Sequence, residues 1–156
     1  MAIKMKLVVT QRAEASCPSH SRTDIRVRDV TTVVDEPIAR GGTNMGPTPT
    51  ETLLAALLGC TNVITNKIAH ANDIHLEGMD IVVESEFDRR GVALEAEVDV
   101  PFPSMKLKVA LKGNLGSDEV AFLKTELRKY CAISKVIRAS GTEIEEEWTV
   151  VEPAVG

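Results

Sequence analysis

The segment Thr48-Pro49-Thr50-Glu51, followed by TLLAALLGCTNVITNKIA, constrains the fold of this chain more than any other. Thr48 is an N-cap residue by type, Pro49 suits the first helical position, and Glu51 completes a T-x-x-E capping box. A helix therefore starts here sharply. It should run to about Ala71, where Asn72 and Asp73 break it, a length of roughly 36 Å at ~1.5 Å per residue. Leu53, Leu57, Cys60, Ile64, Ile68 and Ala71 share a stripe, and Leu54, Leu58 and Val63 widen it. A helix apolar on most sides is a central one, covered by other elements.

Strand and turn signals surround it. Lys4–Glu14 reads as a strand, SCPSHS as a turn, and Asp24–Arg28 and Val30–Val34 as two further strands, the last stopped by Asp35-Glu36-Pro37. Residues 40–47 form a Gly-rich loop ahead of the helix. Beyond it, Met79–Phe87 alternates as a strand and turns at Asp88-Arg89-Arg90-Gly91. Val92–Pro103 is a loop or an edge strand, and Met105–Leu111 is a strand. Ser117 caps a second helix with Asp118 and Glu119 in its first turn, where negative charge is favoured. Cys131–Ala139 is a short third helix and Thr142–Val151 a final strand. The order βββ-α-ββ-αα-β defines an α+β class, with the long helix packed on antiparallel sheets. At 156 residues the chain is expected to be one domain, with an N-terminal half of about 1–76 and a C-terminal half of about 77–156.

Composition narrows the function. The net charge of -5 and the lack of a basic stripe argue against nucleic acid. No uninterrupted apolar run approaches the ~20 residues of a membrane span, and the amphiphilic start lacks a signal-peptide core, so a cytoplasmic location is expected. Aromatic residues make up only 3%, so the core must come from Val, Ile, Leu and Ala. His70 and His75 are five apart, which is not a helical metal pair, and both read as surface or cap residues. No CxxC occurs, which argues against a zinc site and a thioredoxin motif. The acidic run Glu143–Glu147 beside Trp148 reads as a solvated strand face.

The cysteines carry the chemistry. Cys60 lies within the apolar helix, where a free cysteine is ordinarily a small buried hydrophobe and where the helix dipole gives a thiolate little help. Thr61, Asn62 and Thr65 just beyond it suggest a wet pocket at that end. Cys131 stands where it would cap the third helix. Backbone N–H groups would then point at its sulfur and favour the thiolate, and Ser134 could add a hydroxyl. Cys17, beside Pro18 in a polar turn, reads as a surface thiol.

Two stretches, DEPIARGGTNMGPTPTETLLAALLGCTNVITNKIA and KYCAISKVIRASGTEIEEEW, resemble the OsmC/Ohr family of osmotically induced and organic-hydroperoxide-resistance proteins. The combination carries the resemblance: a Gly-Pro entry, a Leu/Ala-rich helix ending in Gly-Cys, and a Cys-x-x-Ser helix start about seventy residues later. The element order fits over nearly the whole chain. The resemblance implies an intertwined homodimer and a thiol peroxidase for organic hydroperoxides that binds no metal or organic cofactor. Cys60 would be the peroxidatic cysteine, Cys131 the resolving one, and a dithiol the reductant.

The family also implies an arginine beside the attacking sulfur, which would hold the thiolate and stabilise the departing alkoxide. Arg40, in the Gly-rich loop, corresponds to the OsmC-type arginine and Arg22 to the Ohr-type one; Arg40 is preferred. The chain departs from the family twice. The glutamate usual ten residues before the cysteine is Thr50, and Glu51 stands nine before, on the opposite helix face at ~100° per residue. The proline usual after the resolving cysteine is Ala132. These departures leave open two other functions. One is a non-peroxidatic dimer binding a small apolar ligand. The other is a redox-sensing protein that uses Cys17 for intermolecular disulfides.

Overall fold

The structure, a computed structural model, describes residues 6–151. It divides into two compact units, residues 1–53 and 54–156. Each is described by itself.

The first unit holds an antiparallel sheet of β1 (Glu14–Ser16), β2 (Thr23–Val27) and β3 (Val30–Val34), in that order. The first strand is shorter and later than its sequence pattern suggests. Residues 4 and 5 lie outside the described residues, and Leu7, Val8 and Val9 are exposed without strand partners. Pairing with Asp24, Ile25 and Arg26, rather than local alternation, selects Glu14–Ser16. Arg28 takes the left-handed backbone (φ 57) in the tight turn between β2 and β3.

After β3 the chain forms a 3-10 turn at Ile38–Arg40 and the Gly-rich loop. Helix α1 (Pro49–Ala71) then begins in the first unit and continues through the second, with the boundaries its capping signals dictate. The Thr48 N–H donates to a Glu51 carboxylate oxygen at 2.8 Å, and the Glu51 N–H donates to Thr48 Oγ1 at 3.3 Å, which closes the capping box.

The second unit is built on β4 (Gly78–Ser85), β5 (Ser104–Lys112) and β6 (Glu143–Val151), in that order. The expectation of antiparallel sheets fails here for one pair. β4 and β5 are antiparallel, but β5 and β6 run parallel, with Val109 opposite Trp148. A parallel pair needs a crossover, and α2 (Ser117–Tyr130) and α3 (Ala132–Ala139) supply it. Between β4 and β5 the stretch 86–103 is a loop, closed at its base where the Asp88 N–H donates to Pro101 O. The N-cap of α2 is Gly116 rather than Ser117; Glu119 reaches back to accept the Gly116 N–H at 2.8 Å.

Met105, Leu107, Val109 and Leu111 line one face of β5 and are buried with Leu123 and Leu127 of α2, Ile137 of α3 and Ile144 of β6. The buried positions on α1 are Leu57, Thr61, Thr65, Ile68 and Ala69. This face is rotated from the expected stripe, and Thr61 and Thr65 are enclosed rather than facing water. Thr61 Oγ1 donates to Leu57 O at 2.8 Å, the back-bond that lets a threonine hydroxyl be buried within a helix. Among the described residues α1 is the one helix long and apolar enough to cross a membrane. Thr61, Asn62, Thr65, Asn66 and Lys67 interrupt its apolar character, and the same length and composition also describe the core helix of a soluble protein.

Candidate active site

The second unit brings together the two cysteines that are seventy-one residues apart in sequence. α1 carries Cys60 on its flank, half-buried, while Cys131 occupies the junction between α2 and α3 and is fully buried. Both are free thiols, and Cys131 Sγ donates to Cys60 Sγ at 3.1 Å. A disulfide needs an approach of only about 1 Å more, given an S–S bond of ~2.05 Å.

Cys131 is the N-cap of α3, as its position predicts, and its sulfur accepts the Ser134 N–H at 3.4 Å. The expected consequence does not follow. The helix N–H groups do pull the Cys131 thiol towards ionisation, but burial outweighs them, and the bond to Cys60 also favours the protonated form. The thiol is pushed up to about 11. Cys131 therefore stands as a protonated donor, with Cys60 as the acceptor of its S–H.

Ser134 is a link rather than a hydroxyl aimed at sulfur: its Oγ accepts from Arg138 Nε at 3.3 Å. Arg138 also donates to Ile144 O at 3.1 Å and to Glu146 Oε1 at 2.8 Å. Glu146 is where the solvated-face reading of Glu143–Glu147 fails. Its neighbours Glu145 and Glu147 point outward to Lys106, but the Glu146 side chain is only 2% exposed. It accepts Arg128 Nε at 2.9 Å besides Arg138, and its second oxygen accepts Trp148 Nε1 at 3.1 Å. The signal lay in the strand period: Ile144, Glu146 and Trp148 share one face.

The other candidate residues lie in the first unit. Arg22 makes a two-pronged pair with Asp24, Nε to Oδ1 at 2.7 Å and Nη2 to Oδ2 at 3.2 Å. Arg40, well exposed, pairs with Glu36 at 2.9 Å. Glu51 serves the capping box; the Thr48 N–H, the Thr48 hydroxyl and, last, the Arg40 charge draw its carboxyl below the usual range against the opposing effect of burial.

The Gly-rich loop has an organiser that sequence reasoning passed over as a strand stop. Asp35 is fully buried and accepts the N–H groups of Glu36 (2.8 Å), Thr43 (3.0 Å) and Met45 (3.2 Å) as well as the Thr43 hydroxyl. These bonds hold its carboxyl well below the ordinary carboxylate range, the Thr43 hydroxyl foremost. The loop closes so tightly that a Cβ at Gly42 would lie 1.8 Å from Glu36 O and one at Gly46 2.0 Å from Val33 O. Cys17, His70 and His75 are exposed. Among the described residues no three His, Cys, Asp or Glu side chains gather to hold a metal ion.

The site thus sets two free thiols 3.1 Å apart on an α+β fold, one half-buried and one enclosed. The chain belongs to the OsmC-like protein family, whose sequence profile matches residues 42–147, a span that includes both cysteines. Solved structures share the fold at low identity. An OsmC-like protein from Mycoplasma pneumoniae has a TM-score of 0.77 at 17% identity, covering 92% of this chain and 98% of that one. An organic hydroperoxide resistance protein OsmC from Legionella pneumophila has 0.68 at 18%, covering 92% and 99%. The organic hydroperoxide resistance protein OhrB of Bacillus subtilis has 0.61 at 18%, covering 90% and 98%. Among curated proteins, no sequence matches.

Proposed function

We propose that this protein is a thiol-dependent peroxidase for organic hydroperoxides, acting in the cytoplasm as a homodimer of single-domain protomers and reset by a dithiol. The observation that carries the reading is the Cys60–Cys131 pair at 3.1 Å, with Cys60 the more accessible sulfur and Cys131 the enclosed protonated one. The names of the Legionella and Bacillus neighbours support the substrate class. The half-buried Leu54, Leu58 and Ile64 and the exposed Val63 on α1 support a second copy as cover.

The cycle balances as follows. The Cys60 thiolate attacks one oxygen of the peroxide; the O–O bond breaks, an S–O bond forms, and the alkoxide leaves and takes a proton to become an alcohol. Cys60 is then a sulfenic acid. The Cys131 sulfur attacks it, forming the disulfide and releasing water. The external dithiol exchanges with that disulfide, becomes a disulfide itself, and so supplies the two electrons that reduced the peroxide. Arg40 is the preferred guanidinium for the alkoxide, Arg22 is the second candidate, and Glu51 would orient whichever one serves.

Thiol titration before and after cumene hydroperoxide tests the reading. Two thiols per chain should disappear, and none in Cys60→Ser. No loss at stoichiometric peroxide would overturn the assignment and favour a ligand-binding dimer. Arg40→Ala should slow consumption at least ~100-fold, the scale of losing one key transition-state donor; if Arg22→Ala does so instead, the choice of arginine is wrong.

A further inference from the structure

The Arg138–Glu146 cluster has no part in the chemistry above, yet it joins the thiol pair through an unbroken set of bonds. Glu146 Oε1 accepts from Arg138, Arg138 Nε donates to Ser134 Oγ, the Ser134 N–H donates to Cys131 Sγ, and Cys131 donates to Cys60. We propose that Arg138 and Glu146 are positioning residues that lock α3 onto β6 and thereby hold Cys131 Sγ within bonding range of Cys60. The proposal rests on the reading of the two cysteines as a redox couple.

Three observations carry it. First, α3 is only eight residues long, too short to be stable by itself, so its placement comes from its packing. Ile137 provides the apolar part, and Arg138 is the residue that fastens the helix to β6 at two points, Ile144 O and Glu146. Second, the bond holding the Cys131 sulfur from within α3 is a long one from Ser134, the residue whose hydroxyl Arg138 grips. The clamp and the sulfur thus act on the same helical turn. Third, Glu146 sits on the core face between Ile144 and Trp148, where an apolar side chain would be the cheaper occupant. A buried ion pair is a weak source of stability, because desolvation offsets the attraction. Its geometry is a better account of it: a carboxylate fixed by Trp148 and Arg128 gives the Arg138 fork one defined place to dock.

The test separates position from stability. The double variant Arg138→Leu/Glu146→Leu removes the pair without leaving an unpaired buried charge, and Arg138→Lys keeps the charge while losing the fork. The full-length protein is equilibrated in buffers of oxidised and reduced dithiothreitol, and the Cys60–Cys131 disulfide is quantified by thiol labelling. Thermal melts of the reduced proteins run alongside. In the double variant the equilibrium constant for disulfide formation should fall at least tenfold, which is about 30 mV towards a more positive potential for a two-electron couple. Its reduced-state melting temperature should stay close to wild type. Arg138→Lys should fall between the two. A folded double variant with the wild-type potential overturns the positioning role and leaves the redox couple standing. If the double variant fails to fold, Arg138→Lys decides: an unchanged potential overturns the role and a shifted one supports it. A wild-type protein that forms no disulfide in these buffers overturns the couple and the positioning role together.

Discussion

Cys131 makes the stability of this protein depend on alkaline pH in a way that can be calculated. The folded thiol is pushed from an ordinary value of 9.0 up to about 11, chiefly by burial. The folded state therefore keeps a proton that the unfolded chain gives up. Below pH 9 both states hold it, and the full stability is present. As pH rises from 9 through 11 the unfolded state binds fewer protons than the folded one, so stability falls. The two-unit difference sets a total loss of about 3 kcal/mol, of which about 2 kcal/mol is gone by pH 11. To isolate this one thiol, the assay compares the wild type with Cys131→Ala, both reduced, by urea unfolding at half-unit steps from pH 8 to 11. The variant should start less stable, because a buried sulfur is lost. The gap between the two curves should close by about 2 kcal/mol across the range. Parallel curves would falsify the claim that an enclosed, protonated Cys131 is a property of the folded state.

Other perturbations have defined outcomes. Asp35→Asn puts an amide donor where the carboxylate accepts three N–H groups and a hydroxyl; a loss of about 2–4 kcal/mol in chemical denaturation is expected, from one or two charged hydrogen bonds. The depressed Asp35 carboxyl gives stability that is full at neutral pH and lost progressively as pH falls below its unfolded value towards its folded one, so the acid limb of the unfolding curve should flatten in Asp35→Asn. Gly42→Ala places a methyl group on the Glu36 carbonyl and should open the loop, seen as faster amide exchange at Thr43 and Met45. Glu51→Ala removes half of a capping box and should cost about 1 kcal/mol by urea unfolding. Leu123→Ala empties a fully buried core position and should cost about 2–5 kcal/mol in the same measurement.

The features legible in the sequence were those with local causes. The start of α1 rests on Thr48, Pro49 and Glu51, three neighbours whose side chains and backbone satisfy one another, and it could be placed to the residue. Cys131 as the N-cap of α3 was equally local. Partners distant in sequence were not legible. β1 is fixed by β2 and not by the apolar run at Leu7–Val9, and the parallel run of β6 along β5 depends on how the α2–α3 crossover returns the chain. At the candidate site the thiol pair could be singled out, but the ionisation of Cys131 could not. The capping effect is visible in one helix turn, whereas the burial that overrules it exists only in the folded chain. The acidity of the run hides Glu146, and the strand period reveals it: it stands between Ile144 and Trp148 on the inward face of an alternating strand.

The raised thiol of Cys131 bears on the proposed cycle. A resolving cysteine is expected to be activated, yet with a value near 11 only about one molecule in ten thousand would hold a Cys131 thiolate at pH 7. Position can offset that. Well-oriented groups within one molecule reach effective concentrations of roughly 10⁵–10⁸ M, enough to outweigh a ~10⁴-fold scarcity of thiolate. A thiolate of high pKa is also the better nucleophile once formed. A buried, protonated sulfur held 3.1 Å from its target is therefore a workable resolving group, and its burial keeps it from competing with Cys60 for peroxide. Such a design shifts the demand from ionisation to geometry. Ala132, where the family usually has proline, does little to fix the start of α3. The rigidity must then come from elsewhere in the helix, and the bonds of Arg138 to Ser134, Ile144 and Glu146 are placed to supply it.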